Sequence, residues 1–267
     1  MKKAIDAHIH LDMYEQNTAK AIVAELVECN VDAVIAVSRH LDSCKANARL
    51  QREAPDRVYP AYGFHPEQEL PTEAELQELL SWMGENEANM IAVGEVGLPY
   101  YMRQEAEAEG RAFDLAPYVS LLERFVLKAV QWDKPIVLHA VYEDAEAACD
   151  LLAKYGHKRA HFHWFKGAEE TVNRMIAAGY YISITPDVLY EEEIRTLVRS
   201  YPIEQMMVET DGPWPFEGPF TGEETHPRMI HAVIEQIALI KGISVVEAAS
   251  ILHDNTRQFY CLPSGLR

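Results

Sequence analysis

Between residues 4 and 210, short apolar runs rich in Val, Ile and Ala alternate with longer segments of helical period. The short runs cover residues 4–10, 32–37, 58–63, 90–95, 135–139, 159–163, 180–184 and 206–210. Their length and β-branched content predict strands. Helices are expected between them, from Thr18 to Cys29, Leu41 to Ala54, Thr72 to Asn86, Phe113 to Trp132, Glu143 to Tyr155, Ala168 to Ala178 and Glu191 to Ser200. Within the fourth of these, Leu121, Leu122, Phe125 and Ala129 form the apolar stripe of a helix lying on a sheet. Two further helices are expected after the last strand, from Pro227 to Lys241 and from Ser244 to His253.

Strictly alternating strands and helices predict parallel βα units. Eight strands close a barrel, and one (β/α)8 TIM barrel typically takes about 250 residues, so the 267 residues predict a single α/β domain over 1–267 with extra C-terminal helices. No repeat, low-complexity tract or Gly/Ser linker marks a boundary. Residues 97–112 and 212–226 read as long loops after the fourth and eighth strands, at the barrel end where substrate contacts are made. The second, Gly212-Pro213-Trp214-Pro215-Phe216-Glu217-Gly218-Pro219, is stiff and aromatic.

The polar residues at the strand ends carry the chemistry. In Ile5-Asp6-Ala7-His8-Ile9-His10, alternate imidazoles point the same way on a strand. His65, Glu95, His139, His163 and Asp211 then close the third, fourth, fifth, sixth and eighth apolar runs. A mixed His/Asp/Glu set fits a binuclear hydrolytic centre better than a structural zinc site rich in thiolates. Glu95 is expected to bridge two metals, since a buried carboxylate needs a partner. Asp211 is expected as ligand and proton acceptor, and His163 is preferred to His161 as the ligand on its strand, His161 being expected either to support the ligands from behind or simply to be buried. His40, His157, His231 and His253 show no convergence.

Composition narrows the partners. A formal charge of −18 disfavours a protein that grips long duplexes through phosphates, while leaving a small anionic substrate open. Cys29, Cys44, Cys149 and Cys261 have no C-x-x-C spacing and read as reduced thiols. The first strand begins by residue 4 and no apolar run reaches about 18 residues, so the expectation is a cytoplasmic protein without membrane contact.

With these residues in place the chain resembles the TatD family of metal-dependent deoxyribonucleases, within the amidohydrolase-like superfamily. The resemblance rests on Asp6-Ala7-His8-Ile9-His10, Gly63-Phe64-His65-Pro66, Gly94-Glu95-Val96-Gly97-Leu98, Pro135-Ile136-Val137-Leu138-His139, His163-Trp164-Phe165-Lys166-Gly167, Glu209-Thr210-Asp211-Gly212-Pro213 and Asn255-Thr256-Arg257-Gln258-Phe259, in the family's order. It implies one metal on His8, His10, Glu95 and Asp211 and a second on Glu95, His139 and His163. It also implies a catalytic role for His65 beside the substrate or attacking water, Zn, Mn or Mg as the ions, and trimming of nucleic-acid ends as the activity.

Departures from the family pattern concern substrate contacts. Pro99-Tyr100-Tyr101 lacks the Asp common before the tyrosines, Ala140-Val141-Tyr142 lacks a nearby Arg, and Phe216-Glu217-Gly218-Pro219-Phe220 replaces a basic loop. Lys166 and Arg228 are the cations expected to restore positive charge. The expected reaction is attack of a metal-activated water on a phosphoester, with proton transfer toward Asp211. Expected partners are small phosphoesters or short single-stranded ends. The rival readings are hydrolysis of a small amide, ester or lactone on the same barrel, and a non-catalytic scaffold.

Overall fold

A computed structural model describes residues 3–263. Its strands are β1 (Ala4–Ile9), β2 (Val31–Ala36), β3 (Val58–Tyr62), β4 (Ala92–Gly97), β5 (Ile136–His139), β6 (Ala160–Phe162), β7 (Tyr181–Ile184) and β8 (Met206–Val208). They form one eight-stranded sheet in sequence order, every neighbouring pair parallel. The seam between first and last strands is held just beyond β8. There Asp211 N donates to His8 O at 2.9 Å and His10 N to Gly212 O at 2.8 Å. The arrangement is the TIM barrel expected from the alternating pattern.

The helices are α1 (Gln16–Glu25), α2 (Leu41–Glu53), α3 (Glu73–Glu85), α4 (Tyr100–Ala108), α5 (Ala116–Gln131), α6 (Asp144–Lys154), α7 (Glu169–Ala178), α8 (Glu192–Ser200), α9 (Ile230–Lys241) and α10 (Val245–Phe259). The start of α3 follows directly from sequence: Thr72 and Glu75 form a reciprocal capping box. The expected loop 97–112 is corrected, because α4 occupies most of it. Ala106 is the one buried residue of α4, so no apolar stripe announces this helix. α10 runs past the expected end at His253 to Phe259.

Two apolar layers result. The larger lies between barrel and helices and includes Leu122, Phe125, Leu152, Ile230 and Leu252. The smaller fills the barrel from Ile5, Tyr59, Ala61, Ala92, Val137 and Met207, and the end of α10 adds Phe259, Tyr260 and Leu262. Ile5, Tyr59 and Ala92 lie at or near strand starts, so this chain segment plugs the end of the barrel opposite the polar strand ends. Asn255 anchors it by donating to Ile203 O and Met206 O, both at 2.7 Å. Among the described residues no single helix is long and apolar enough to cross a membrane.

Candidate metal centre

β1 changes register on β2 between Asp6 and Ile9, and β4 changes register on β5 between Val93 and Val96. Such irregularities re-aim side chains, and these two flank His8 and Glu95. Nε2 of His8 lies 3.4 Å from Nε2 of His10, 3.2 Å from Glu95 Oε2 and 3.2 Å from Asp211 Oδ1. Nε2 of His10 lies 3.2 Å from the same Glu95 oxygen and 3.4 Å from the same Asp211 oxygen. Four atoms at such spacings surround a point roughly 2.0 Å from each, the length of a zinc–imidazole bond.

The other oxygen of Glu95 faces a second group. Glu95 Oε1, His139 Nδ1 and His163 Nε2 form a triangle with sides of 3.1, 3.2 and 2.7 Å. His65 approaches the same oxygen, its Nε2 at 3.3 Å. The rings of His8 and His163 stack at 3.9 Å, which joins the two groups into one cluster. Every residue assigned to the site from sequence, namely His8, His10, His65, Glu95, His139, His163 and Asp211, is thus brought together.

The donor chemistry fits cations. Glu95 Oε2 and Asp211 Oδ1 are buried and accept no hydrogen bond, although imidazole nitrogens surround them. Nitrogens that converge on one another and on shared carboxylate oxygens need positive charge between them. The titration behaviour agrees. Burial would lower the His10 pKa, but the Asp211 and Glu95 carboxylates override it and push it up to about 10. Burial also opposes ionisation of Glu95, yet the imidazoles of His163, His65 and His8 hold it well below the ordinary value. Asp211 is likewise held low against its burial by His10 and His8. His65 differs, since burial keeps it below the usual histidine value despite Glu95.

Behind these residues stand three carboxylates with no role assigned from sequence. Glu67 accepts from Tyr101 N and Met102 N, both at 2.8 Å, and contacts His139 Nε2 at 3.2 Å. It therefore caps α4 and orients a prospective ligand. Glu209 accepts from Trp164 N at 2.7 Å and Ser183 Oγ at 2.6 Å, with His163 Nδ1 at 3.7 Å. Trp164 and Asp211 both adopt left-handed backbone conformations, with φ of 38° and 48°, and the Glu209 contact pins the first of them. Asp6 accepts from Thr210 N at 3.0 Å, and burial pushes its pKa up to about 7. Asp6 and Glu209 lie inside the D-x-H and E-T-D motifs, a signal that was available. Glu67 has no signal beyond its proximity to His65. His161 turns into the barrel, with Nδ1 2.7 Å from Tyr260 Oη and Nε2 2.5 Å from Ser183 Oγ.

A cavity of about 340 Å³ opens over the cluster, lined by His65, His139, His163 and Asp211 and walled by Glu67, Tyr101, Val141, Trp164 and Trp214. A groove of about 470 Å³ beside α7 and α8 lies away from these groups. The cations expected to restore charge do not line the cavity. Lys166 pairs with Glu191 at 2.8 Å, and Arg228 pairs with Glu223 at 3.1 Å. The short distance between opposite charges on neighbouring segments, rather than the cavity, decides where both point.

Comparison with known proteins places the site in context. A family described as TatD related DNase matches residues 5–261. A Haemophilus influenzae protein named an uncharacterized metal-dependent hydrolase is 37% identical over 257 residues, covering 96% of this chain and 99% of its own. Human deoxyribonuclease TATDN3 is 26% identical, with 96% of this chain and 94% of that one covered. The crystal structure of YjjV, a TatD homolog from Escherichia coli, superposes with a TM-score of 0.82 at 22% identity, covering 97% of this chain and 98% of that one. A TatD family hydrolase from Entamoeba histolytica matches the fold equally, with a TM-score of 0.82 at 20% identity over 98% of this chain and 99% of its own.

Proposed function

The chain belongs to the TatD family of metal-dependent hydrolases, and on that premise we propose that it cleaves phosphoesters with two divalent ions. His8, His10, Glu95 and Asp211 would hold one ion, and Glu95, His139 and His163 the other, Glu95 being shared by both. Bound there, Zn, Mn or Mg would lower the pKa of water and polarise phosphoryl oxygens. The observation that supports this reading is the division of Glu95 between two donor groups, one at 3.2 Å from His8 and the other at 2.7 Å from His163.

The chain's own residues supply the remaining steps. Asp211, anchored by its backbone to His8 O and lining the cavity, would take the proton of the attacking water on its carboxylate. The water oxygen bonds to phosphorus, the ester P–O bond breaks, and the leaving oxygen departs as an alcohol carrying that proton. His65, kept neutral by burial and lining the same cavity, orients the water or the phosphoryl group. Short single-stranded ends and small phosphoesters fit such a site. Long duplex does not, given the −18 charge. The four cysteines are unpaired, in keeping with a reducing cytoplasm.

Hydrolysis at carbon is the second reading, and the Val141, Trp164 and Trp214 walls favour it by offering apolar surface. Metal-reconstituted protein assayed on bis(p-nitrophenyl) phosphate and on a lactone and amide panel, beside Glu95→Ala, separates the two. Phosphodiester cleavage lost in the variant supports the proposal; turnover of lactones or amides alone overturns it in favour of carbon chemistry.

A further inference from the structure

The walls of the cavity specify more than a hydrolytic centre. Trp214 and Tyr101 are 49% and 52% exposed, yet both line the cavity that opens on the metal cluster. Both have their backbones held in place. Trp214 stands between Pro213 and Pro215, donates its N–H to Asp211 O at 3.2 Å, and its carbonyl accepts from Thr225 Oγ1. Tyr101 sits in the first turn of α4, its N–H held by Glu67, with its ring 5.3 Å from Tyr100 and 6.1 Å from His139. Trp164, which lines the same cavity, is fixed by its Nε1–H to Asp187 Oδ2 at 2.6 Å and by Phe216 at 5.7 Å. Open aromatic faces on stiff supports are stacking platforms.

Charge around the mouth disfavours a strand held along its backbone. A polynucleotide held by its backbone needs cations that its phosphates can claim. No lysine or arginine is among the residues lining the cavity, within the described part of the chain. The neighbouring cations are committed: Lys166 to Glu191 at 2.8 Å, Arg103 to Asp144 at 2.7 Å and Glu143 at 3.1 Å, and Arg39 to Asp12 at 3.0 Å. Glu67 adds a carboxylate to the wall. The volume of about 340 Å³ suits one small-molecule ligand.

We propose that the cavity selects a small phosphoester with a single anionic phosphoryl centre and one planar, uncharged ring system seated against Trp214 and Tyr101, in preference to a strand bearing several phosphates. This selection rests on the phosphoesterase reading above. It makes Trp214 the specificity-determining residue.

The test compares two diesters with the same leaving group, thymidine 5′-(p-nitrophenyl phosphate) and methyl p-nitrophenyl phosphate, in wild type, Trp214→Ala and Trp214→Phe of equal metal content. Binding of thymidine 5′-phosphate, methyl phosphate and hexathymidylate is followed by tryptophan fluorescence. The expected kcat/KM for the thymidine diester is about tenfold or more above the methyl diester, carried by KM. That ratio falls toward one in Trp214→Ala and is largely kept in Trp214→Phe. Hexathymidylate is expected to bind no tighter than thymidine 5′-phosphate. Equal rates for the two diesters, or hexathymidylate binding more than about tenfold tighter, overturn the selection while leaving a phosphoesterase. If neither diester is cleaved, the phosphoesterase reading fails and the binding data decide the cavity's preference separately. Thymidine 5′-phosphate binding that Trp214→Ala removes supports the preference, and binding no stronger than that of methyl phosphate overturns it.

Discussion

Glu95 Oε1 lies 2.7 Å from His163 Nε2, while Oε2 of the same carboxylate lies 3.2 Å from both His8 and His10. One side chain therefore belongs to two donor groups. Glu95→Ala is expected to lose both ions after dialysis, whereas Asp211→Ala damages one group and keeps the other. Elemental analysis of each variant checks this. Equal metal content in Glu95→Ala and wild type contradicts the bridging assignment.

Glu67 ties α4 to His139, accepting two amides with one carboxylate and meeting the imidazole at 3.2 Å. Glu67→Ala is expected to weaken metal affinity about 10–100-fold, the usual effect of removing a partner that orients a ligand. Glu67→Gln, whose single carbonyl oxygen keeps one of the two amides that the carboxylate accepts on separate oxygens, is expected to lose less. Competition against a chelator measures both, and identical affinities in all three proteins would sink the idea.

Asp187 supplies a pH test. Burial pushes its pKa up from 3.8 to about 6, against the hydrogen bonds of Thr185 and Trp164 and the charge of Lys166. The folded protein therefore binds a proton here more tightly than the unfolded chain. Its contribution to stability is fully present below about pH 4 and is lost as pH rises through about 6. Relative to Asp187→Asn, wild type is expected to lose up to roughly 3 kcal/mol across that window. Denaturant titrations at pH 4, 5 and 6 check the slope; parallel curves for the two proteins contradict it.

Gly97 shows how tightly β4 packs on β5. A Cβ at this position would stand 1.9 Å from His139 O, a backbone atom that cannot swing aside. Gly97→Ala is expected to destabilise the fold by about 3 kcal/mol or more and to displace His139. Thermal melts give the first effect and metal affinity the second. A melting temperature unchanged from wild type would show that the strands have room to part.

The barrel was legible because its strands are continuous apolar runs, as strands buried on both faces must be. The polar residues that end those runs stand out against them, which is why His8, His10, His65, Glu95, His139, His163 and Asp211 could all be placed. α4 was not legible, since it buries only Ala106 and owes its start to Glu67, a residue far away in sequence. Lys166 and Arg228 misled for the opposite reason. A cation's position follows its nearest carboxylate, and pairing across separate segments, such as Lys166 with Glu191, leaves no periodicity to read.

The most direct measurement is release of p-nitrophenol from bis(p-nitrophenyl) phosphate as metal-free protein is titrated with Mn or Zn. A two-metal phosphoesterase is expected to stay nearly inactive up to one equivalent and to gain activity toward two, with Asp211→Ala silent throughout. Full activity at a single equivalent, or none with two ions demonstrably bound, contradicts the account.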